Sequence, residues 1–170
     1  VYDINLLYGV TFATMLASVK QYSGGGGEET KQSEKTDYLI VLDFDHTIYV
    51  HPDKSKYKLD REWLKSLDPN GTPNQNVVEM CRAYKNIKNT NTKIVVVTGR
   101  NTESAKFKKD IKDFVSGAIG YDVYDVCGNN NKDSAKSFKQ NKVKSLTHQY
   151  DPKKVVHFDD ESDVFYEDGK

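Results

Sequence analysis

The stretch Tyr38-Leu39-Ile40-Val41-Leu42-Asp43-Phe44-Asp45-His46-Thr47 decides how this chain is read. It is a near-continuous apolar run that stops at a carboxylate, with none of the alternation expected of a half-solvated strand. Runs of this kind belong to strands covered on both faces in a parallel sheet. Two more follow. Ile94-Val95-Val96-Val97 stops at Thr98-Gly99-Arg100, and Val155-Val156-His157-Phe158 stops at Asp159-Asp160.

Helical spacing fills the intervals. Residues 76–87 carry Val77, Met80, Cys81 and Tyr84, and residues 102–115 carry Phe107, Ile111, Phe114 and Val115. Residues 137–150 carry Phe138, Val143 and Leu146 less regularly, and a short strand is expected at 121–126. Strands alternating with helices specify an α/β fold. The expected form is a three-layer, Rossmann-like, mostly parallel sheet with helices on both faces.

In an open sheet of this kind the ligand crevice lies beyond the carboxyl ends of the strands, so the three polar clusters should converge. Asp43 and Asp45 point the same way if the strand conformation continues past Leu42. One carboxylate can then attack while the other manages protons, and a cation must offset their mutual repulsion. Thr98-Gly99-Arg100 offers a hydroxyl and backbone N–H groups leading into a helix, suited to a phosphate. Asp159 and Asp160, with Asp163 beyond, could complete an oxygen site for magnesium. A lone Asp-x-Asp is more often a turn or a helix cap. Three such clusters, each closing a run of Val, Ile and Leu, are hard to assign to chance.

These residues carry a resemblance. Leu42-Asp43-Phe44-Asp45-His46-Thr47-Ile48 resembles the first motif, DxDxT, of the haloacid dehalogenase superfamily. Val96-Val97-Thr98-Gly99-Arg100 looks like the second motif, and His157-Phe158-Asp159-Asp160 like the fourth. The third motif is a lysine at a helix start. Ser137-Phe138-Lys139 is similar to the arrangement in phosphatase domains of nucleic-acid repair, which selects Lys139, with Lys136 the rival and Lys142 less suited.

The resemblance implies a magnesium-dependent phosphomonoester hydrolase. Asp43 attacks phosphorus and becomes an aspartyl-phosphate, while Asp45 protonates the leaving oxygen and then activates water. Thr98 and Lys139 hold the phosphoryl group, with Gly99 and Arg100 as further substrate contacts. Magnesium sits among the Asp43 carboxylate, the Asp45 backbone carbonyl and Asp159, with Asp160 in or beside its shell. Because dehalogenases lack the second acid, Asp45 favours phosphatase chemistry. His46 is expected to point away from its neighbours, as a packing or hydrogen-bonding histidine rather than a general acid. Arg100 could reach substrate phosphate or form a surface ion pair. Trp63 is expected to pack rather than stack on a base.

Substrate access depends on what covers the site. Residues 50–73 leave room for a loop or a very small cap, so minimal or no cap is expected. An open site admits a nucleic-acid end or a nucleotide as well as a small metabolite. The alternatives are therefore a small-metabolite phosphatase or phosphotransferase, or a binding module that kept the scaffold.

Composition sets the outer bounds. The 170 residues contain 25 basic and 25 acidic side chains, so no global field selects a polyanion. Lys106, Lys108, Lys109 and Lys112 crowd one stretch, most simply as a solvated helix face. Cys81 and Cys127 form no metal-type pair, which fits a reducing, cytoplasmic setting. No apolar run is long enough for a membrane span, and no obligate protein partner is evident.

The residues before the first motif have their own pattern. Residues 1–8 alternate as a strand, and residues 11–22 place Phe12, Met15, Leu16 and Val19 on one helical face. They lack the basic start of a signal peptide. Residues 23–37, with glycines at 24–27, read as a flexible linker, and residues 38–170 as the catalytic core. Residues 1–22 are expected to complete that core's sheet. This is the order a circular permutation would produce, with the glycine run joining the former termini. A natural extension or a tethered peptide is the alternative.

Overall fold

The computed structural model of this chain describes residues 3–7, 15–21, 35–53, 64–131 and 133–164. Strands β1 (Asp3–Leu7) and β2 (Met15–Gln21) precede β3 (Tyr38–Leu42), β4 (Tyr49–Val50) and β5 (Thr72–Pro73). Helix α1 (Gln75–Lys85), β6 (Thr92–Thr98), α2 (Ala105–Ile119) and β7 (Asp125–Gly128) follow. The described chain closes with α3 (Ala135–Tyr150), β8 (Lys154–Asp159) and a short 3-10 turn at Ser162–Val164.

The main sheet has the order β1-β2-β8-β3-β6-β7. Strands β8, β3, β6 and β7 run parallel, so their carboxyl ends share one edge. β3 is central because every residue from Leu39 to Leu42 is fully buried. Its period-two alternation feeds two cores. Ile40 and Leu42 pack with Val77, Val78 and Cys81 of α1 and Phe107, Ile111 and Val115 of α2. Leu39 and Val41 pack with Phe138 and Leu146 of α3 on the other face. The result is the expected three-layer α/β architecture. Among the described residues no cap domain stands over the sheet, and the β4–β5 pair is the small sheet found between β3 and α1.

Local chemistry sets the helix bounds. Ser104 and Ser134 accept hydrogen bonds from the backbone N–H of Phe107 and Ser137, the usual device for satisfying a first turn. Gly120, at φ 79°, ends α2 in the left-handed conformation that glycine adopts without steric cost.

Two expectations change. The helix expected over residues 11–22 is not what the described part forms, since Met15–Gln21 is strand β2. β2 lies antiparallel to β8 from Leu16 to Gln21 and to β1 on its other side. Met15, Ala17 and Val19 fit a strand's period of two against Ser18 and Lys20 as well as a helix, and an open β8 edge supplies the hydrogen-bonding partner. The short strand expected at 121–126 lies further on, at Asp125–Gly128. The glycine run at 24–27, Trp63 and the middle of the 50–73 interval lie outside the described residues.

Candidate active site

β6 and β7 lie on one side of β3 and β8 on the other, which makes the carboxyl end of β3 a topological switch point, where open sheets gather ligand-binding residues. A cleft of about 350 Å³ opens there. Its lining includes Asp43, Asp45, His46, Gly99, Arg100 and Lys139, with Asp160 and Glu161 also present.

Asp43 follows directly from β3 and is 3% exposed. Thr47 Oγ1 donates to its Oδ2 at 3.0 Å, while Lys139 Nζ stands 3.0 Å from its Oδ1. Lys139 is on the second turn of α3, buried, and also donates to Asp159 Oδ2 at 2.9 Å. Lys136, one turn earlier, is exposed. Asp159 ends β8 fully buried, and its Oδ1 accepts from the Glu161 backbone N–H at 3.0 Å. His157 Nε2 lies 3.6 Å from Asp159 Oδ2.

The charges of this corner act on one another. Burial, and then the charge of Asp159, pushes the Asp43 carboxyl well above the usual carboxylate range against the pull of Lys139. Burial and Asp159 also raise Asp160. Asp159 is lowered: burial pushes it up, but the neighbouring His157 ring and the Lys139 ammonium together outweigh that. Burial pulls the Lys139 ammonium down, but Asp43 and Asp159 raise it further.

Asp45 meets a different partner. Arg100 Nε donates to Asp45 Oδ2 at 2.8 Å and Nη2 to Oδ1 at 2.6 Å, a two-pronged pair. Arg100 is 1% exposed, so this is a buried ion pair and not the surface pair that was one of its two expected roles. Its third arm reaches the Ser66 carbonyl at 3.1 Å, and its guanidinium carbon lies 5.4–5.8 Å from the ring centroids of Phe44, Tyr49 and Phe107. Residues from separate parts of the chain enclose it, which a local reading of Thr98-Gly99-Arg100 does not reveal. Thr98 is itself fully buried, and its Oγ1 accepts from the Arg100 N–H at 3.2 Å, leaving the hydroxyl hydrogen as a donor.

Whether a divalent cation fits is answered by the donors. Asp43, Asp159 and Asp160 present carboxylate oxygens all within 4.8 Å of one another. Three carboxylates share the single ammonium of Lys139, and two of them are held above their ordinary range. An all-oxygen, under-compensated set suits a hard cation such as magnesium. Asp45's carboxylate is taken up by Arg100, and Asp163 lies in the 3-10 turn after β8.

Three contributors take roles that the sequence reading does not assign to them. Thr47 holds the nucleophile candidate, and its place four residues after Asp43 was the available signal. His157 and Asp159 are two apart on one strand, a spacing that puts both on one face. His46 lines the cleft rather than pointing away from it. Its φ is 62°, so the strand has already ended there and alternation no longer governs its direction.

Searches against protein-family models, curated proteins and solved structures find no match for this chain.

Proposed function

We propose that this protein is a magnesium-dependent phosphomonoester hydrolase of the haloacid dehalogenase type, working through an aspartyl-phosphate on Asp43. One observation carries the reading. A buried carboxylate stands at the carboxyl end of the central strand, with Lys139 and Thr47 each 3.0 Å from its oxygens and Asp159 and Asp160 beside it.

The chain's own residues divide the work. An Asp43 oxygen attacks phosphorus as the bond to the leaving oxygen breaks, and that oxygen takes its proton from Asp45. Water then attacks the phosphoryl group, gives its proton to Asp45, and inorganic phosphate leaves with Asp43 restored. Arg100 fixes Asp45 by both oxygens, each of which keeps a second lone-pair direction for a substrate proton. Lys139 offsets charge on the phosphoryl oxygens and on Asp43. A magnesium ion held by Asp43, Asp159 and Asp160 would supply neutralisation of the transferring group's charge.

The substrate belongs to the phosphomonoesters, with a nucleic-acid end or a nucleotide as the first reading and the cytoplasm as its setting. One observation favours a small metabolite instead. Three of the four α2 lysines are drawn into ion pairs, Lys106 with Asp110, Lys109 with Asp113 and Lys108 with Asp125, so most of that face's basic charge is compensated locally. No helix among the described residues is long and apolar enough to cross a membrane.

The test is turnover of para-nitrophenyl phosphate with and without magnesium. We expect metal-dependent hydrolysis that Asp43→Asn lowers at least about a thousandfold, as befits a covalent nucleophile. A variant retaining a tenth of the rate removes Asp43 from that role. A panel of 3′-phosphate and 5′-phosphate oligonucleotides against free nucleotides then sorts the substrates.

A further inference from the structure

We infer that His46 is a substrate contact on the leaving-group side of the cleft, and that it selects phosphomonoesters whose leaving group is flat and partly apolar. The inference rests on the hydrolase reading above and assigns a residue that this reading does not use.

The backbone comes first. The chain turns sharply after Asp43, with the His46 N–H donating to the Tyr49 carbonyl at 3.0 Å and the Tyr49 N–H to the Phe44 carbonyl at 2.9 Å. This turn fixes His46 at φ 62°, in the left-handed region. Glycine reaches that region without penalty, whereas a side chain there crowds the neighbouring backbone. A histidine in such a position brings something glycine cannot.

The ring's surroundings indicate what that is. His46 is half-buried and lines the cleft together with Asp45, Leu64 and Asp160. It is one residue from Asp45, whose carboxylate must meet the leaving oxygen, while Asp43 and Lys139 engage the phosphoryl group. His46 therefore belongs to the side from which the leaving group departs. A planar imidazole and the half-buried aliphatic Leu64 make a lining for a ring rather than for a polyhydroxyl chain.

The experiment compares binding of phenyl phosphate and of inorganic phosphate, by calorimetry in magnesium, to the full chain and to His46→Gly and His46→Asn. Both replacements tolerate a left-handed backbone, so the fold should hold, with a melting temperature unchanged or higher. Phenyl phosphate affinity should fall about tenfold, the loss of one good side-chain contact. Inorganic phosphate, which has no leaving group, should bind within about twofold of wild type, as should magnesium. Equal affinities for phenyl phosphate overturn the inference. So does a parallel loss of phosphate or magnesium binding, which makes His46 a partner of Asp160. A melting temperature lower by many degrees makes it a packing residue and overturns it as well. If the ester turns over during the titration, KM for phenyl phosphate and the inhibition constant of inorganic phosphate replace the two affinities. A protein that shows the contrast but hydrolyses nothing refutes the hydrolase reading alone, and one that hydrolyses without it refutes the role of His46 alone. Wild type that binds neither probe refutes both.

Discussion

Two corners of one cleft each bury a cation against carboxylates, and they balance charge differently. At the Lys139 corner one ammonium faces Asp43 and Asp159, with Asp160 close by. At the Arg100 corner one guanidinium spends two prongs on one carboxylate, Asp45, and rests among three aromatic rings. The first corner is short of positive charge and the second is satisfied. A site poised to take up a cation and a phosphoryl group needs the first arrangement. A site that has to hold one carboxylate still needs the second.

The largest expected effect breaks the first corner. Lys139→Ala strands buried carboxylates, and loss of one partner from a buried pair costs about 3–5 kcal/mol. Turnover should fall by orders of magnitude, whereas Lys136→Ala, on an exposed side chain, should change it little. The reverse ranking in a side-by-side assay would move the phosphate-facing lysine to Lys136. Magnesium sharpens the same contrast. At a hundred times its dissociation constant it should add about 2.7 kcal/mol to wild-type stability. The gain should be larger in Lys139→Ala, where the metal alone must offset the carboxylates. A melting temperature that ignores magnesium in both proteins would show that the acidic corner takes no cation.

The next effect breaks the second corner. Arg100→Lys keeps the charge but loses one prong to Asp45, the Ser66 contact and the flat face that rests on the rings. We expect a loss of about 2–4 kcal/mol and a smaller fall in turnover than Lys139→Ala gives. Magnesium should not recover that stability, because the Arg100 corner lacks no charge. Gly71→Ala perturbs the same corner from beneath, at lower cost. A methyl at Gly71 would collide with the Tyr49 ring, whose hydroxyl accepts from the Asp68 N–H at 2.9 Å and donates to the Asp68 carbonyl at 3.0 Å. Displacing that ring should cost about 1–3 kcal/mol, read as a lower midpoint in urea.

The two corners also differ in how far the sequence announced them. Asp43 and Asp159 close apolar runs and Asp160 follows directly, so the burial of the first two and the convergence of all three follow from pattern. The resemblance carried by Ser137-Phe138-Lys139 selects Lys139 over Lys136, and the second turn of α3 brings it against Asp43. Arg100 was legible only as a cation after a strand, because its partners Asp45, Ser66, Tyr49 and Phe107 meet through tertiary packing. His46 was misread for a local reason, a left-handed φ that ends the alternation one residue after Asp45. β2 was misread because a short apolar segment satisfies two periods, and its choice of strand depends on the β8 edge beside it. Pattern decides burial well where a segment is apolar on both faces. It decides poorly where a neighbour supplies the missing hydrogen bonds.

The smallest expected effect lies outside both corners and tests whether they act alone on substrate. Lys106, Lys108 and Lys109 on α2 are each paired with an aspartate, and the Lys106 and Lys109 side chains are 85% and 71% exposed. Exposed pairs of this kind contribute little to stability, since water and salt screen them and both side chains lose rotamer freedom. Replacing all three by alanine should leave the melting temperature almost unmoved. It also leaves Asp110, Asp113 and Asp125 without their cations, which makes the face acidic. An oligonucleotide drawn along that face would then bind more weakly, with a shallower dependence on salt, because fewer phosphate contacts release fewer counterions. A small phosphomonoester seated only in the cleft would not respond. We therefore expect KM for phenyl phosphate to be unchanged in the triple variant and, on the small-metabolite reading, KM for a 3′-phosphate oligonucleotide to be unchanged too. A rise in the oligonucleotide KM alone would show that α2 guides a polymer to the cleft despite its paired charges, and would settle the substrate class in favour of a nucleic-acid end.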